Sequence, residues 1–378
     1  MAKLGDFFTI ASGGTPDKRN PSYYENGTIP WVKTGDLKNQ YVPTGIDCIT
    51  EEGLNNSSAK LFPPNTVLVA MYGATIGACS ILTYEAATNQ ACAAFLPNKN
   101  VLPTYLYYFL LSKRDQFVKD GVGGAQPNIS AGYLKNVQFD LVPVRQQEVI
   151  VERLDEIENL IALRKEQLAK LDQLVKSRFI ELFGATSAKN CTKQIKDYAE
   201  VLGGYAFKSD LFCADAIPVI RISNINNGCV ELDYNTCFDE LFWEQNKRFR
   251  VEQNDVLMAM SGATTGKAGI YRENMPALIN QRVACIRAKD GVACPTFLFV
   301  ATQLEWMYDL IQETSAGCAQ PNISGKQIEN MPVPDASYEQ QQQFASFVEQ
   351  TDKSKFEIQK SLEKLETLKK ALMQKYFG

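Results

Sequence analysis

The chain has 378 residues, of which 45% are hydrophobic and 22% charged, a globular composition long enough for two or three domains with ordinary cores. It contains no histidine, which excludes Ser-His-Asp and Cys-His catalysis, H-E-x-x-H metalloproteases and any imidazole proton relay. A net charge of -4 and a pI near 5.3 lend no compositional support to nucleic-acid binding, so any DNA-binding surface would have to be local or shared with a partner.

The first residues, MAKLGDFFTI, show neither the apolar stretch nor the small-residue cleavage site of a signal peptide. No run reaches the roughly 18 apolar residues of a membrane span, and a soluble cytoplasmic protein with no membrane association is expected. Ten cysteines form no C-x-x-C pair. Buried free thiols in a reducing compartment are expected rather than a metal site.

In chain order, residues 1–142 read as an α+β domain: short β-branched runs such as Val67–Ala70 are broken by Gly, Pro and Asn turns. After that strand come Gly73-Ala74-Thr75-Ile76-Gly77, then Asn89-Gln90, a helix-like stretch at 105–118 and "AQPNIS" at 125–130. Residues 143–184 read as one long helix. Its apolar positions Leu154, Ile157, Ile161, Leu168, Leu171, Val175 and Leu182 follow steps of three and four, interrupted by Arg164 and Arg178. A linker at 185–194 follows.

The pattern then begins again. "LGDFFTIASGG" is matched by "IKDYAEVLGGY", aligning Asp6 with Asp197 and Gly13-Gly14 with Gly203-Gly204. Ile29-Pro30 matches Ile217-Pro218, and "NTVLVAMYGATIGACSIL" from Asn65 matches "NDVLMAMSGATTGKAGIY" from Asn254. Asn89-Gln90 matches Asn280-Gln281, and "AQPNIS" recurs at 319–324. Such ordered self-similarity is an internal duplication. It makes 195–334 a second α+β domain, with a helix-like stretch at 297–311, and 335–378 a second long helix. That helix carries Val348, Ile358, Leu362, Leu365, Leu372 and Tyr376 on its apolar stripe, and Ser337 with Gln340 offers a capping box. Glu166–Lys170, Asp172–Lys176 and Glu366–Lys370 place acid before base at i,i+4.

A helix of this length reaches about 55 Å, and its stripe requires another helix against it. Pairing of the two in an antiparallel coiled coil is the economical arrangement. It would place one globular domain at each end with pseudo-twofold symmetry. Diverged domains held apart by a stiff spacer suit a target with two different separated halves, of which duplex DNA is the commonest.

This plan, with "IPW" and "GD" in the first domain, "VLVAMYGATIGA", "NQ", "QPNIS" and then "RQQEVIVERLDEIENLIALRKEQLAKLDQLVKSRFIELFG", resembles the specificity subunit of a type I restriction-modification system over essentially the whole chain. The resemblance implies two tandem α/β-type target-recognition domains joined by the long helices. Each would bind one half of a bipartite, asymmetric site in double-stranded DNA. The helices would fix the spacer and dock two modification subunits that methylate adenine, and restriction subunits with translocase and nuclease activity would join them. S-adenosylmethionine, ATP and magnesium would bind those partners, and this chain would carry no cofactor and no catalytic residue. The alternative reading from the residues alone is a two-headed scaffold for protein partners without nucleic-acid specificity.

Residues matched between the copies suit a shared frame, because base readers of two different half-sites should differ. Gly73, Asn89, Gln90, Gln126 and Asn128, with Gly262, Asn280, Gln281, Gln320 and Asn322, are therefore expected to structure loops, although Asn and Gln side chains can read adenine. Gly262 to Lys267 lacks the first Gly and the final Ser/Thr of a phosphate loop. Base readers are expected in the unaligned segments: Lys18, Arg19, Lys38 and Tyr41 in the first domain, and Lys208, Asn226, Arg248 and Arg250 in the second. Lys33 and Arg221, at matched positions, are candidates for phosphate contacts. Pro16-Asp17 and Pro334-Asp335 lack the acidic-x-Lys partner of a nuclease motif.

Overall fold

The structure, a computed structural model, describes residues 2–121, 128–315 and 321–378. It divides into two compact units, Met1–Leu163 with Ser361–Gly378, and Arg164–Lys360.

In the first unit, strands Ile10–Ser12, Cys92–Phe95, Val67–Ala70 and Cys79–Ile81 lie side by side in an antiparallel sheet. Val67–Ala70 is apolar at every position because both faces of the sheet are buried. Val67 and Val69 join a core with Ile10, Phe95 and the helix Pro103–Ser112. Leu68 and Ala70 face a second cluster with Val32, Phe62 and Leu82. A second sheet orders Cys48–Ile49, Ile29–Val32, Ala86–Thr88 and Leu61–Phe62, with Ile29–Val32 parallel to Ala86–Thr88. The helical stretch expected at 105–118 is two helices, Pro103–Ser112 and Arg114–Asp120, broken at Lys113.

The second unit repeats this plan. Ala199–Gly203, Val283–Ala288, Val256–Ala259 and Ala268–Ile270 form the antiparallel set, and Ile217–Ile220 lies parallel to Leu278–Ile279 and antiparallel to Cys237–Phe238. Its own addition is a hairpin, Ile225–Asn226 with Cys229–Val230. Asn227 and Gly228 at its tip both have positive φ, the backbone of a tight two-residue turn. The stretch at 297–311 is likewise two helices, Pro295–Thr302 and Glu305–Ser315.

Register corrects one alignment. Ile10 pairs with Phe95 and Val201 with Ile286, so Gly13 corresponds to Gly204, one residue away from the match expected for the Gly-Gly turns. Steric demand is shared at these two positions. A Cβ on Gly13 would lie 2.0 Å from the Thr88 carbonyl oxygen, and one on Gly204 would lie 2.1 Å from that of Asn280.

The long helices are Val144–Phe183 and Tyr338–Phe377, 40 residues each, about 60 Å at 1.5 Å per residue. The second begins with the expected capping box, in which Gln340 accepts from the Ser337 amide at 3.0 Å and donates its own amide to Ser337 Oγ at 3.2 Å. Within the first unit, Lys369 pairs with Glu158, and Arg153 donates to Tyr376 Oη at 3.0 Å. Within the second, Lys355 pairs with Asp172 at 2.6 Å and the Phe179 and Phe344 rings are 5.3 Å apart. In each unit, partners ascend along one helix and descend along the other, so the helices pair antiparallel.

Leu154, Ile157, Ile161, Val175 and Leu362 are buried, and Leu168, Leu171, Ile358, Leu365 and Leu372 are half-buried. Glu166 and Lys170 pair along the exposed face at 2.6 Å. Two details depart from the pattern. Asp172 reaches across to Lys355 rather than along its own helix to Lys176. Leu182 is 39% exposed, and Phe179 takes the buried position because this end packs on Phe297 and Phe344 of the second unit's core.

Each long helix is tied at its start by a wholly buried glutamine. Gln147 Oε1 accepts from the Leu102 amide at 2.9 Å, and its Nε2 donates to the Asn100 and Val142 carbonyls. Gln341 repeats the clamp with the Cys294 amide and the Val292 and Ala336 carbonyls. Among the described residues, no helix is long and apolar enough to cross a membrane.

Candidate nucleic-acid interface

The loops at the end of the main sheet are built the same way in both units. Gly73 and Gly262 turn the chain after the Val67–Ala70 and Val256–Ala259 strands with φ of +66° and +80°, a left-handed backbone that glycine adopts without cost. Asn89 Oδ1 accepts from the Ala91 amide and Asn280 Oδ1 from the Arg282 amide, both at 3.2 Å. Gln90 and Gln281 are both exposed; Gln90 Oε1 accepts from the Thr15 hydroxyl, and the Gln281 backbone N–H donates to the Tyr205 carbonyl.

Asn128 and Asn322 bridge to Tyr72 and Ser261. The next residues, Ile129 and Ile323, donate their amides to Met71 and Met260. Ser130 and Ser324 then cap the short helices that follow. Gln126 and Gln320 lie outside the described residues. Among these matched residues, the Asn89 and Asn280 side chains hold loop backbone in both copies.

Lys33 and Arg221 also share a job inside the domain. Each donates its backbone amide to the side chain three residues on, Asp36 or Asn224. Each cation then folds back on an acid: Lys33 on Asp47, and Arg221 on Asp233 at 3.1 Å with Thr236 at 2.9 Å. The Asp47 hydrogen bond pushes the Lys33 pKa up. A phosphate contact by either would compete with that acid.

The unmatched segments behave differently. Lys18, Lys38, Lys208 and Arg248 are exposed and make no ion pair among the described residues. Tyr41 is 47% exposed, and exposed Asn226 sits at the hairpin tip with its Nδ2 on the Ser223 carbonyl. Arg19 is exposed but engaged by Asp17 at 2.8 Å, and this hydrogen bond holds the Asp17 carboxyl down to about 2.

Arg250 departs from the expectation of a free base reader. Its guanidinium lies 3.9 Å from the Trp243 ring centroid and donates to the Trp243 and Glu244 carbonyls, both at 2.7 Å. It is a strut, with its π-face and two of its donors already committed.

Sequence reasoning missed Arg287. Its guanidinium grips Asp255 bidentately at 3.0 and 2.7 Å, reaches Glu252 at 2.7 Å and donates to the Arg250 carbonyl at 3.0 Å. No local pattern marks this pair, because its members lie 32 residues apart, Arg287 on the strand Val283–Ala288 and Asp255 just before the neighbouring strand Val256–Ala259. Among the described residues no group of His, Cys, Asp and Glu is placed to hold a metal ion.

The sequence profile of the type I restriction modification DNA specificity domain matches residues 1–173 and again 189–370. The chain is similar to the specificity subunits of the type I restriction enzymes MjaIX and MjaVIII of Methanocaldococcus jannaschii. Identity is 24% and 22% over 99% of this chain, covering 91% and 90% of those proteins. The EcoR124I/EcoR124II specificity subunit of Escherichia coli is 29% identical over 162 residues, 42% of this chain, and that match spans 40% of its own length.

Two solved structures share the fold across the whole chain. One is the S subunit of a type I restriction-modification system from M. genitalium, with TM-score 0.55, 14% identity and 95% of that chain covered. The other comes from work on complex assembly and conformational transition of the type I R-M system, with TM-score 0.61, 15% identity and 96% covered. With tandem domains, paired long helices and a profile matched twice, the chain belongs to the type I restriction modification DNA specificity family, as a non-catalytic, DNA-binding specificity subunit.

Proposed function

We propose that the two globular domains, 1–142 and 195–334, each bind one half of a bipartite, asymmetric site in double-stranded DNA. The carrying observation is the division of labour between matched and unmatched residues. Matched Asn89 and Asn280 spend their side chains on loop backbone, whereas cations of the unmatched segments, Lys18, Lys38, Lys208 and Arg248, stand exposed and unpaired among the described residues. A shared frame with different exposed donors is what two different half-sites require.

The long helices would set the spacer and carry two modification subunits, with restriction subunits joining the assembly. Apolar side chains left exposed on the helices support docking there: Leu160 and Leu163 in the first unit, and Leu174 and Phe356 in the second, are 43%, 53%, 48% and 65% exposed. S-adenosylmethionine, ATP and magnesium would bind those partners. Genome-wide adenine methylation with and without this gene tests the reading. Loss of methylation at one interrupted motif is the expected result. No change at any motif, when the methylating subunits co-purify with the chain, would refute it.

A further inference from the structure

We propose that Arg287 is a positioning residue that sets recognition of the second half-site, an inference that rests on the reading above. The segment 240–255 leaves the sheet as the helix Glu240–Gln245, turns through Lys247–Phe249 and returns to the strand at Val256. Lys247 and Arg248 at that turn are exposed and make no ion pair among the described residues. Two guanidinium groups in series fix the turn. Arg250 holds the Trp243 and Glu244 carbonyls near the end of the helix, and Arg287 holds the Arg250 carbonyl together with Asp255 and Glu252.

Asp255 is 3% exposed, and Arg287 is the cation paired with it, at 2.7 Å. The bidentate grip uses the planar fork that lysine lacks.

The strut belongs to the second domain alone. Strand register places Leu96 where Arg287 stands and Thr66 where Asp255 stands. The first domain therefore frames its corresponding segment without this ion pair. Loss of Arg287 should release the turn carrying Lys247 and Arg248 and leave the first half-site intact.

The test uses the whole complex, with the chain co-expressed with its methylating subunits and adenine methylation read by single-molecule sequencing. Arg287→Met alone strands a buried carboxylate, which is strongly destabilising, so Arg287→Met with Asp255→Leu is assayed beside it. Protease resistance of the purified subunit reports folding. The expected result is an unchanged first half and gap, with a relaxed second half methylated at least about tenfold less at the original sequence.

An unchanged motif from a folded variant overturns the inference alone. Loss of both halves with protease-sensitive protein in both variants also overturns it, since Arg287 then only holds the fold. If the unsubstituted complex methylates no interrupted motif, the recognition reading falls and this inference with it.

Discussion

Replacing Gln147 with Met keeps the side-chain volume and removes three hydrogen bonds from a wholly buried site. The two bonds to carbonyls contribute about 1 kcal/mol net each, and leaving the part-buried Leu102 amide unpaired costs about 1–3 kcal/mol. The total is on the order of 3–5 kcal/mol. For cooperative units of 150–250 residues each kcal/mol lowers Tm by about 2–4 °C, so the first unit should melt about 10 °C lower. Calorimetry gives the shift, and hydrogen exchange locates it. The Leu102 amide should exchange about a hundredfold faster or more, at about 1.4 kcal/mol per tenfold. A Tm within about 2 °C of the parent, with Leu102 still protected, would refute the clamp. Gln341→Met should repeat the loss in the second unit, read at the Cys294 amide.

Gly204→Ala should destabilise the second unit by at least about 2 kcal/mol in urea denaturation, because the new Cβ meets the Asn280 carbonyl at 2.1 Å. Gly73→Ala has nothing within 4 Å and only its positive φ against it, so it should cost about 1 kcal/mol; equal losses would show that the close approach is not steric. Burial pushes the Cys92 thiol up to about 12, so little thiolate is present at pH 8. An aromatic disulfide reagent should label exposed Cys213 and Cys229 at once and Cys92 only on unfolding, and early labelling of Cys92 would contradict the packing. DNA affinity of the whole complex should fall more steeply with salt than that of this acidic subunit alone, and equal slopes would show that partners supply no phosphate contacts.

What the sequence disclosed was periodic or repeated. The helix stripe through Leu154, Ile157 and Ile161 was legible because helix period and burial coincide there. The cap at Ser337 and Gln340 was legible because its bonds join residues three apart. The stripe misled at Leu182, where the helix meets a globular core and the buried face turns to Phe179.

Long-range polar bonds were invisible. Gln147 stands in a run of ordinary surface-like residues, and its partners lie 45 and 47 positions away as well as nearby at Val142. Arg250 carried the composition of a DNA contact and the geometry of a strut, a distinction made by where Trp243 folds. Lys33 and Arg221 were readable as a matched pair, but the acids that occupy them differ in sequence spacing, 14 residues in one copy and 12 in the other.

The segment Ser361–Gly378 belongs to the first unit. Phe377 packs on Tyr105 and Phe109 at 5.3 and 6.1 Å between ring centroids, and its carbonyl accepts from Lys113 Nζ at 2.6 Å. The order of synthesis and the order of completion are therefore inverted. As the ribosome delivers the chain, the second unit has all its residues once Lys360 has emerged, while the unit begun first waits for Ser361–Gly378. A stop codon between residues 361 and 378 would accordingly injure the unit that holds residues 1–163 and spare the one that ends at Lys360.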